Sequence, residues 1–300
     1  LVVTLEALKE MHLTPEDIQL IQNDTKTCPD TGMAGASRSL YMDGNATIIA
    51  ANKLLAAMRK EDGTLRTYDE MKAEGIETKY LGRYETNTTP GLCRLDPNTG
   101  IGDPTPAFTY CLNLAEVEVD TKTGKTTVLK FACVDFVGRI GNIDAVNGQA
   151  YSGIMHGIGF ALKEDYADVK KHANMFGAGT SYIKDVPDDI NLIHIDGAIS
   201  DGPFGSSGAS EAFQASGHCA VLNGIYNACG VRIHEIPALP EKVKAGLDAI
   251  AKGEKPYEPK KYFLGSDMYE ELENIKENPV QVGTQSFYVS LDDPTAERPF

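Results

Sequence analysis

A helical stretch that contains four glycines is the feature that most constrains how this chain folds. The segment from Gly148 to Leu162 has apolar residues at helical spacing, yet glycines stand at positions 148, 153, 157 and 159. Each glycine in a helix interior costs up to about 1 kcal/mol relative to alanine. Such a cost is tolerated where another part of the molecule comes too close for a side chain. We therefore expect this helix to pack closely against backbone or against a bound group.

The remaining hydrophobic pattern predicts a mixed α/β fold. Period-two alternation between Phe108 and Phe136, interrupted by a Thr-Gly turn, predicts a β-hairpin. A stretch rich in proline and glycine at 86–106 predicts a long surface loop. Helical spacing and short apolar runs predict the other elements. Helices are expected at 1–11, 40–58, 212–228 and 240–251, together with a short helix that begins at residue 67. Further strands are expected at 18–21 and 192–195.

Composition excludes several classes of protein. The 300 residues carry 43 acidic against 28 basic side chains, a net charge of −15, and no basic stripe that nucleic acid would need. The sequence has no apolar run near the ~18 residues of a membrane span. Its six cysteines form no C-x-x-C pair, which is typical of thiols in a reducing compartment. We expect a cytoplasmic protein without nucleic-acid or membrane partners.

Both ends of the chain suggest a part of something larger. The sequence starts at Leu1, without methionine, and Val2, Leu5 and Leu8 already have helical spacing. A processed product or one piece of an assembly would explain this start. Beyond residue 251 the composition shifts to Lys, Glu, Pro and Tyr. We therefore expect a domain at 1–251 and a C-terminal extension at 252–300 that packs on another surface or subunit.

Two loops of small residues each run into a predicted helix. They are Asp30–Ser39 (DTGMAGASRS) and Gly202–Glu211 (GPFGSSGASE). Small residues let an anion approach the backbone, and the free N–H groups at a helix start can bind it. Neither loop matches the Walker A pattern or a complete G-x-G-x-x-G. A phosphate-binding site and two ordinary capped helices both remain open on this evidence.

Glu211 is the strongest single candidate for chemistry, because it follows a glycine loop at the start of a helix. A carboxylate there can act as a general base or simply interact with the helix dipole. The six histidines and six cysteines lack the spacing of zinc or iron–sulfur ligands. We expect no metal bound by protein side chains.

These segments together resemble the xanthine oxidase family of molybdenum hydroxylases, with the aldehyde oxidoreductase branch most similar. Pro203–Glu211 is similar to that branch's P-F-G-A-S-G-V-G-E, and Cys28–Arg38 to its T-P-N-S-G-P-x-G-G-S-R. Gly148–Gly153 is similar to its G-Q-I-Y-G-G, and the motifs occur in the same order. The resemblance covers about residues 1–251. It implies the C-terminal half of the family's molybdopterin-binding region, with β-hairpins and helices around small-residue cofactor loops.

The family's chemistry implies a function for Glu211. In such enzymes water supplies the oxygen, and by resemblance Glu211 is the general base on a hydroxyl bound to molybdenum. The first expectation is oxidation of an aldehyde to a carboxylic acid. The motifs leave two alternatives: a hydroxylase of a nitrogen heterocycle of the purine or nicotinate type, and a non-catalytic subunit that positions the cofactor. Ser210 and Phe213 depart from the usual motif, which keeps the heterocycle alternative open.

The resemblance also implies cofactors and partners. The cofactor is molybdopterin cytosine dinucleotide, whose pterin dithiolene holds the molybdenum. [2Fe-2S] clusters, and in some members FAD, lie on other segments or subunits of a multi-subunit complex. The N-terminal half of the molybdenum-binding region must come from another chain or a missing segment. The cofactor-binding residues carried over by motif position are Ser37, Arg38, Ser39, Asn142, Gln149, Gly208, Ala209 and Ser210.

Overall fold

A computed structural model describes residues 1–22, 24–85, 105, 107–168, 170–199, 201–254 and 277. These residues form both helices and strands, which confirms the mixed α/β class. The helices are α1 (Val2–Ala7), α2 (Ser39–Met58), α3 (Tyr68–Ala73), α4 (Ile143–Leu162), α5 (Ser210–Ala215), α6 (Gly217–Cys229) and α7 (Pro240–Ala251). The strands are β1 (Tyr110–Val119), β2 (Thr126–Phe136) and β3 (Asp189–His194). Short 3₁₀ turns cover Lys9–Met11, Pro15–Asp17, Ile183–Asp185 and Pro203–Gly205.

The three strands form one sheet in the order β1-β2-β3. The predicted hairpin is confirmed, since β1 and β2 pair antiparallel and the Asp120 side chain closes the turn by accepting from the N–H of Lys122. Strand β3 joins the other side of β2 in parallel. One face of the sheet is buried, with Phe131 and Cys133 at its centre. This face and helices α4 and α6 enclose the main hydrophobic core.

Helix α4 approaches its neighbours closely at the predicted glycines. A Cβ on Gly153 would lie 2.6 Å from the Cβ of Phe213, and a Cβ on Gly157 would lie 2.9 Å from the Cα of Gly217. Real side chains do not fit at such distances, so both glycines are required by contact with α5 and α6. Gly148 differs, because a Cβ there would meet nothing within 4 Å. The expectation of close backbone packing is therefore confirmed for the middle of the helix and not for its first glycine.

Helix α2 packs on the start of the second small-residue loop. A Cβ on Gly44 would lie 2.5 Å from the ring of Pro203. The hydroxyl of Tyr41 donates to the carboxylate of Asp201. These contacts join the helix that follows the first loop to the segment that begins the second loop. The packing of α2 therefore helps to set how the two loops face each other.

Two sequence expectations are wrong. Residues 18–21 form no strand, and Leu20 and Ile21 are each 58% exposed, since no strand in the described ranges pairs with them. The helix expected at 212–228 is two helices, which meet at Ser216. The break follows from tertiary contacts: Gly217 packs on Gly157, and the Asn113 side chain bonds to Ser216.

Some expectations fall outside the described residues. These are the loop at 86–106, of which only residue 105 is described, and the extension at 252–300 beyond residues 252–254 and 277. Across the described ranges, no helix is both long enough and apolar enough to cross a membrane.

Candidate active site

The two small-residue loops meet at Ser37. Its Oγ lies 3.0 Å from Oε2 of Glu211 and 2.9 Å from Oγ of Ser210, and it accepts a hydrogen bond of 3.1 Å from the N–H of Glu211. Both Ala36 and Ser37 have left-handed backbone conformations, with φ of 52° and 53°. This local bend directs the Ser37 hydroxyl at the start of α5. The structure thus brings together three of the predicted site residues from segments more than 170 positions apart.

Gly208 lets the loops come this close. A Cβ on Gly208 would lie 2.4 Å from the carbonyl oxygen of Ser37, a distance that no side chain can occupy. On its other side, the carbonyl of Gly208 accepts a hydrogen bond of 2.7 Å from the hydroxyl of Thr109, just before β1. Gly208 therefore acts through its backbone and its lack of a side chain.

The second loop is fixed to the core before it reaches Glu211. Ser206 and Ser207 are both buried. The Ser206 hydroxyl donates to the carbonyl of Arg139, and the N–H of Ser207 donates to the carbonyl of Val137. Because these bonds satisfy the buried polar groups, the loop is held in one conformation.

Helix α5, which carries Glu211, is held at its far end as well. Phe213 is fully buried against α4. The Asn113 side chain on β1 donates to the Phe213 carbonyl at 3.5 Å and to the Ser216 hydroxyl at 3.0 Å. Sequence reasoning missed Asn113. The available signal was an amide among the inward-facing residues of β1, which are otherwise apolar. The Glu211 side chain itself remains exposed.

A cavity of about 670 Å³ lies beside the second loop. Asn142 and Ala209, both predicted site residues, line it together with Arg139. The Asn142 side chain also caps α4, because its Oδ1 accepts from the N–H of Ala145 at 3.0 Å. The structure thus places these two residues on one cavity, which is large enough for part of a dinucleotide.

The other predicted site residues are not joined to Glu211. The Arg38 guanidinium bonds to the carbonyl of Met33 within its own loop, and Ser39 is the first residue of α2. Gln149 is exposed on α4. No hydrogen bond links these three side chains to the second loop within the described part of the chain. They stay predictions.

The site fits a pterin cofactor that brings its own metal ligands. A Cβ on Gly35 or Gly148 would meet nothing within 4 Å, so the backbone there faces open space that a bound group can approach. Among the described residues, no cluster of three His, Cys, Asp or Glu side chains could hold a metal ion. The polar groups beside the Glu211 carboxylate are the hydroxyls of Ser37 and Ser210, a type of group that suits phosphate and pterin atoms.

A buried polar network under the sheet was not predicted from sequence. His194 Nδ1 lies 2.6 Å from Oδ2 of Asp135, and its Nε2 lies 2.7 Å from Oδ1 of Asn147. Asp135 is 1% exposed, and its Oδ1 has no hydrogen-bond partner among the described residues. Burial raises the pKa of this carboxyl, although the contact with His194 opposes the shift. The network ties β2 and β3 to α4 at the edge of the core.

Comparison with known proteins adds independent information. The family described as the molybdopterin cofactor-binding domain matches residues 2–187. An aldehyde oxidoreductase from Megalodesulfovibrio gigas is 42% identical over 81% of the chain and 27% of its own length. A probable hypoxanthine oxidase from Escherichia coli K12 is 28% identical over 83% of the chain and 28% of its own length.

The fold is also found among solved structures. The aldehyde oxidoreductase from Desulfovibrio desulfuricans superposes with a TM-score of 0.75 at 44% identity, over 81% of this chain and 26% of that one. The chain therefore spans about a quarter of the length of the relatives it matches. The motifs, the family match and the superposition agree. This chain belongs to the molybdopterin cofactor-binding domain family of the xanthine oxidase type of molybdoenzymes.

Proposed function

We propose that this chain is the part of a molybdenum hydroxylase that supplies the general base, Glu211, for oxidation of an aldehyde to a carboxylic acid, with water as the oxygen source. The observation that carries the proposal is the contact of Ser37 with Glu211. This contact places the carboxylate at the junction of two small-residue loops, both similar to cofactor-binding segments of the family.

The geometry suits proton transfer by Glu211. Ser37 donates to Oε2, while Oε1 accepts no hydrogen bond from the described residues. One carboxylate oxygen is thereby oriented and the other is free to take a proton from the attacking oxygen. General-base assistance of this kind contributes about 10²–10⁴-fold to a rate. Because the side chain is exposed, a substrate can reach it.

When bound, the molybdenum pterin supplies oxygen transfer and accepts the two electrons of the oxidation. We propose its cytosine dinucleotide form. Ser37, Ser210 and the backbone at Gly208 and Ala209 would contact it beside Glu211, and Asn142 would contact it from the adjoining cavity. The remaining proposed contacts are Arg38, Ser39 and Gln149.

The complete enzyme needs further polypeptide. The relatives are about four times as long as the stretch that matches here. We propose that the N-terminal half of the molybdenum-binding region, whether a companion chain or another segment, completes the cofactor site. Iron–sulfur and flavin segments or subunits would then carry electrons away. A cytoplasmic location is proposed on the cysteine pattern, since the five described cysteines are free.

The substrate proposal follows the degree of similarity. Identity is 42% to an aldehyde oxidoreductase and 28% to a probable hypoxanthine oxidase. This difference favours an aldehyde over a nitrogen heterocycle. Both substrate classes belong in the same assay.

The proposal is tested with Glu211→Gln in the complete enzyme. Glu241→Gln is the matched control, because Glu241 also lies exposed in the first turn of a helix, α7. We expect Glu211→Gln to keep its molybdenum and releasable cytidine nucleotide and to lose about 10²-fold or more in kcat toward aldehydes. The control should match wild type. If Glu211→Gln keeps full activity and normal cofactor content, Glu211 is not the general base, and this chain only positions the cofactor.

A further inference from the structure

The sheet has an apolar face with no partner inside the described chain. This outer sheet face points away from α4 and α6. Paired residues share a face, and the pairs here are Tyr110 with Phe136, Leu112 with Val134, and Val134 with Ile193. The outer sheet face is therefore defined by Tyr110, Leu112, Leu114, Val134, Phe136 and Ile193.

Four of these side chains are unusually open for apolar residues, whereas Val134 and Phe136 on the central strand are half-buried. Tyr110 is 62% exposed, Leu112 and Leu114 are 57% exposed, and Ile193 is 45% exposed. On the opposite face, Phe131 and Cys133 are at most 1% exposed. A scattered exposed leucine is ordinary, but a contiguous patch across three strands marks an interaction surface. In addition, β1 and β3 pair only with β2 among the described strands, so both sheet edges are open.

Charged residues limit the patch at one end. Lys130 lies 3.9 Å from Glu116 and 3.7 Å from Asp189, forming a row of charges across the three strands. Between this row and Tyr110 the outer sheet face is apolar except for Asn191 on β3, which pairs with Ala132. The preceding residue, Thr109, bonds to Gly208 of the loop that leads to Glu211. A partner seated on the apolar part therefore ends beside the candidate active site.

We propose that the outer sheet face is the docking surface for the remaining part of the molybdenum-binding region, which packs on it through apolar contacts. This inference rests on the proposed function. It is favoured by the length of the relatives, most of which lies outside the matched stretch, and by the continuity of the patch with a site that needs further contacts. A second copy of the chain fits less well, because it would bring two net charges of −15 together and supply no missing segment.

The first experiment places a photo-crosslinking amino acid at Leu112 in the purified holoenzyme. The matched control places it at Ile183, which is 82% exposed and lies in the 3₁₀ turn Ile183–Asp185, outside the strands. We expect crosslinks from position 112 to peptides of the molybdenum-binding region outside residues 1–300, and at least about tenfold fewer from position 183. Crosslinks to a second copy of residues 1–300, or none above the control, would overturn the proposal.

The second experiment tests the contact energetically. Leu112→Lys combined with Ile193→Lys would bury two charges against an apolar partner, whereas Ile183→Lys would not. We expect about tenfold less of the remaining region retained with the double variant after limited proteolysis and gel filtration, with unchanged helix content by circular dichroism. Equal retention in both variants contradicts docking here. Both experiments measure contact and not activity, so a failure of the docking proposal can be told apart from a failure of the proposed role of Glu211.

Discussion

The Ser37 hydroxyl lies 3.0 Å from Oε2 of Glu211 and 3.1 Å from its backbone nitrogen, so one side chain holds both the carboxylate and the main chain of the proposed base. The bond to Oε2 restricts rotation of an exposed glutamate. The bond from the N–H group satisfies one of the unpaired donors at the start of α5. Neither contact exists unless the two loops meet, and Gly208 is what allows them to meet.

We expect Ser37→Gly to lower kcat about tenfold in the complete enzyme. Glycine suits the left-handed backbone at this position, so the substitution removes the hydroxyl without adding strain. One hydrogen bond to a charged group contributes about 1.5 kcal/mol, which corresponds to roughly tenfold in rate. The measurement is kcat and KM with an aldehyde, together with cofactor content.

Thr31→Ala is the control for Ser37→Gly, because Thr31 is exposed in the same loop. It should leave kcat unchanged. If Ser37→Gly loses cofactor in proportion to activity, the hydroxyl acts on cofactor binding and not on Glu211. An unchanged kcat would show that the contact has no role in the reaction.

Replacement of two different glycines of α4 by alanine should change the free energy of unfolding in opposite directions. Gly157→Ala should lower the free energy of unfolding by about 1–3 kcal/mol, because its Cβ would lie 2.9 Å from the backbone of Gly217. Gly148→Ala should raise it by about 0.5–1 kcal/mol, since Gly148 is exposed and alanine favours the helix. Urea unfolding of both variants is the measurement. Equal effects at the two positions would mean that helix propensity, and not packing, decides both.

Local patterns in the sequence predicted the elements whose hydrophobic period was clear. The hairpin, α2, α4 and α7 follow directly from alternation or helical spacing, and the two small-residue loops follow from the small residues that precede a helix. The absence of a strand at 18–21 could not be predicted, because strand formation depends on a pairing partner that the segment itself does not specify.

The contacts that build the site are long-range, and for this reason the sequence did not reveal them. Asn113 and Ser216 are 103 positions apart, and Ser37 and Glu211 are 174 positions apart. Resemblance to the family indicated which segments to expect at a cofactor site. It did not indicate that Ser37 would contact Glu211 directly, or that a break at Ser216 would separate α5 from α6.

Glu70 should titrate far below the usual glutamate range. The hydrogen bond from Lys60 and that from the N–H of Thr67 lower the pKa of its carboxyl to about 2. The folded state therefore binds this proton more weakly than the unfolded chain. The resulting stabilisation is complete above the ordinary value of 4.5 and is lost as the pH falls toward 2.

Carboxyl-detected NMR titration checks the Glu70 prediction. Lys60→Met should return the pKa of Glu70 toward its ordinary value, and Glu70→Gln should reduce the loss of stability in acid. Glu61→Gln is the control, because Glu61 is exposed and lies beside Lys60 in sequence. A Glu70 carboxyl that titrates near 4.5 in the wild-type protein would contradict the expected effect of Lys60.

The Asp135 carboxyl should make the free energy of unfolding depend on pH in the direction opposite to that of Glu70. Desolvation raises the pKa of this buried carboxyl, so the folded state binds its proton more tightly than the unfolded chain. The contribution to stability is complete below the ordinary aspartate pKa and declines as the pH rises through the raised pKa.

We expect Asp135→Asn, which can still accept a hydrogen bond from His194, to flatten this decline in urea unfolding measured across pH. Asp189→Asn, exposed on β3, should leave the profile unchanged. A wild-type profile in Asp135→Asn would mean that burial of this carboxyl does not set how the stability of the fold depends on pH.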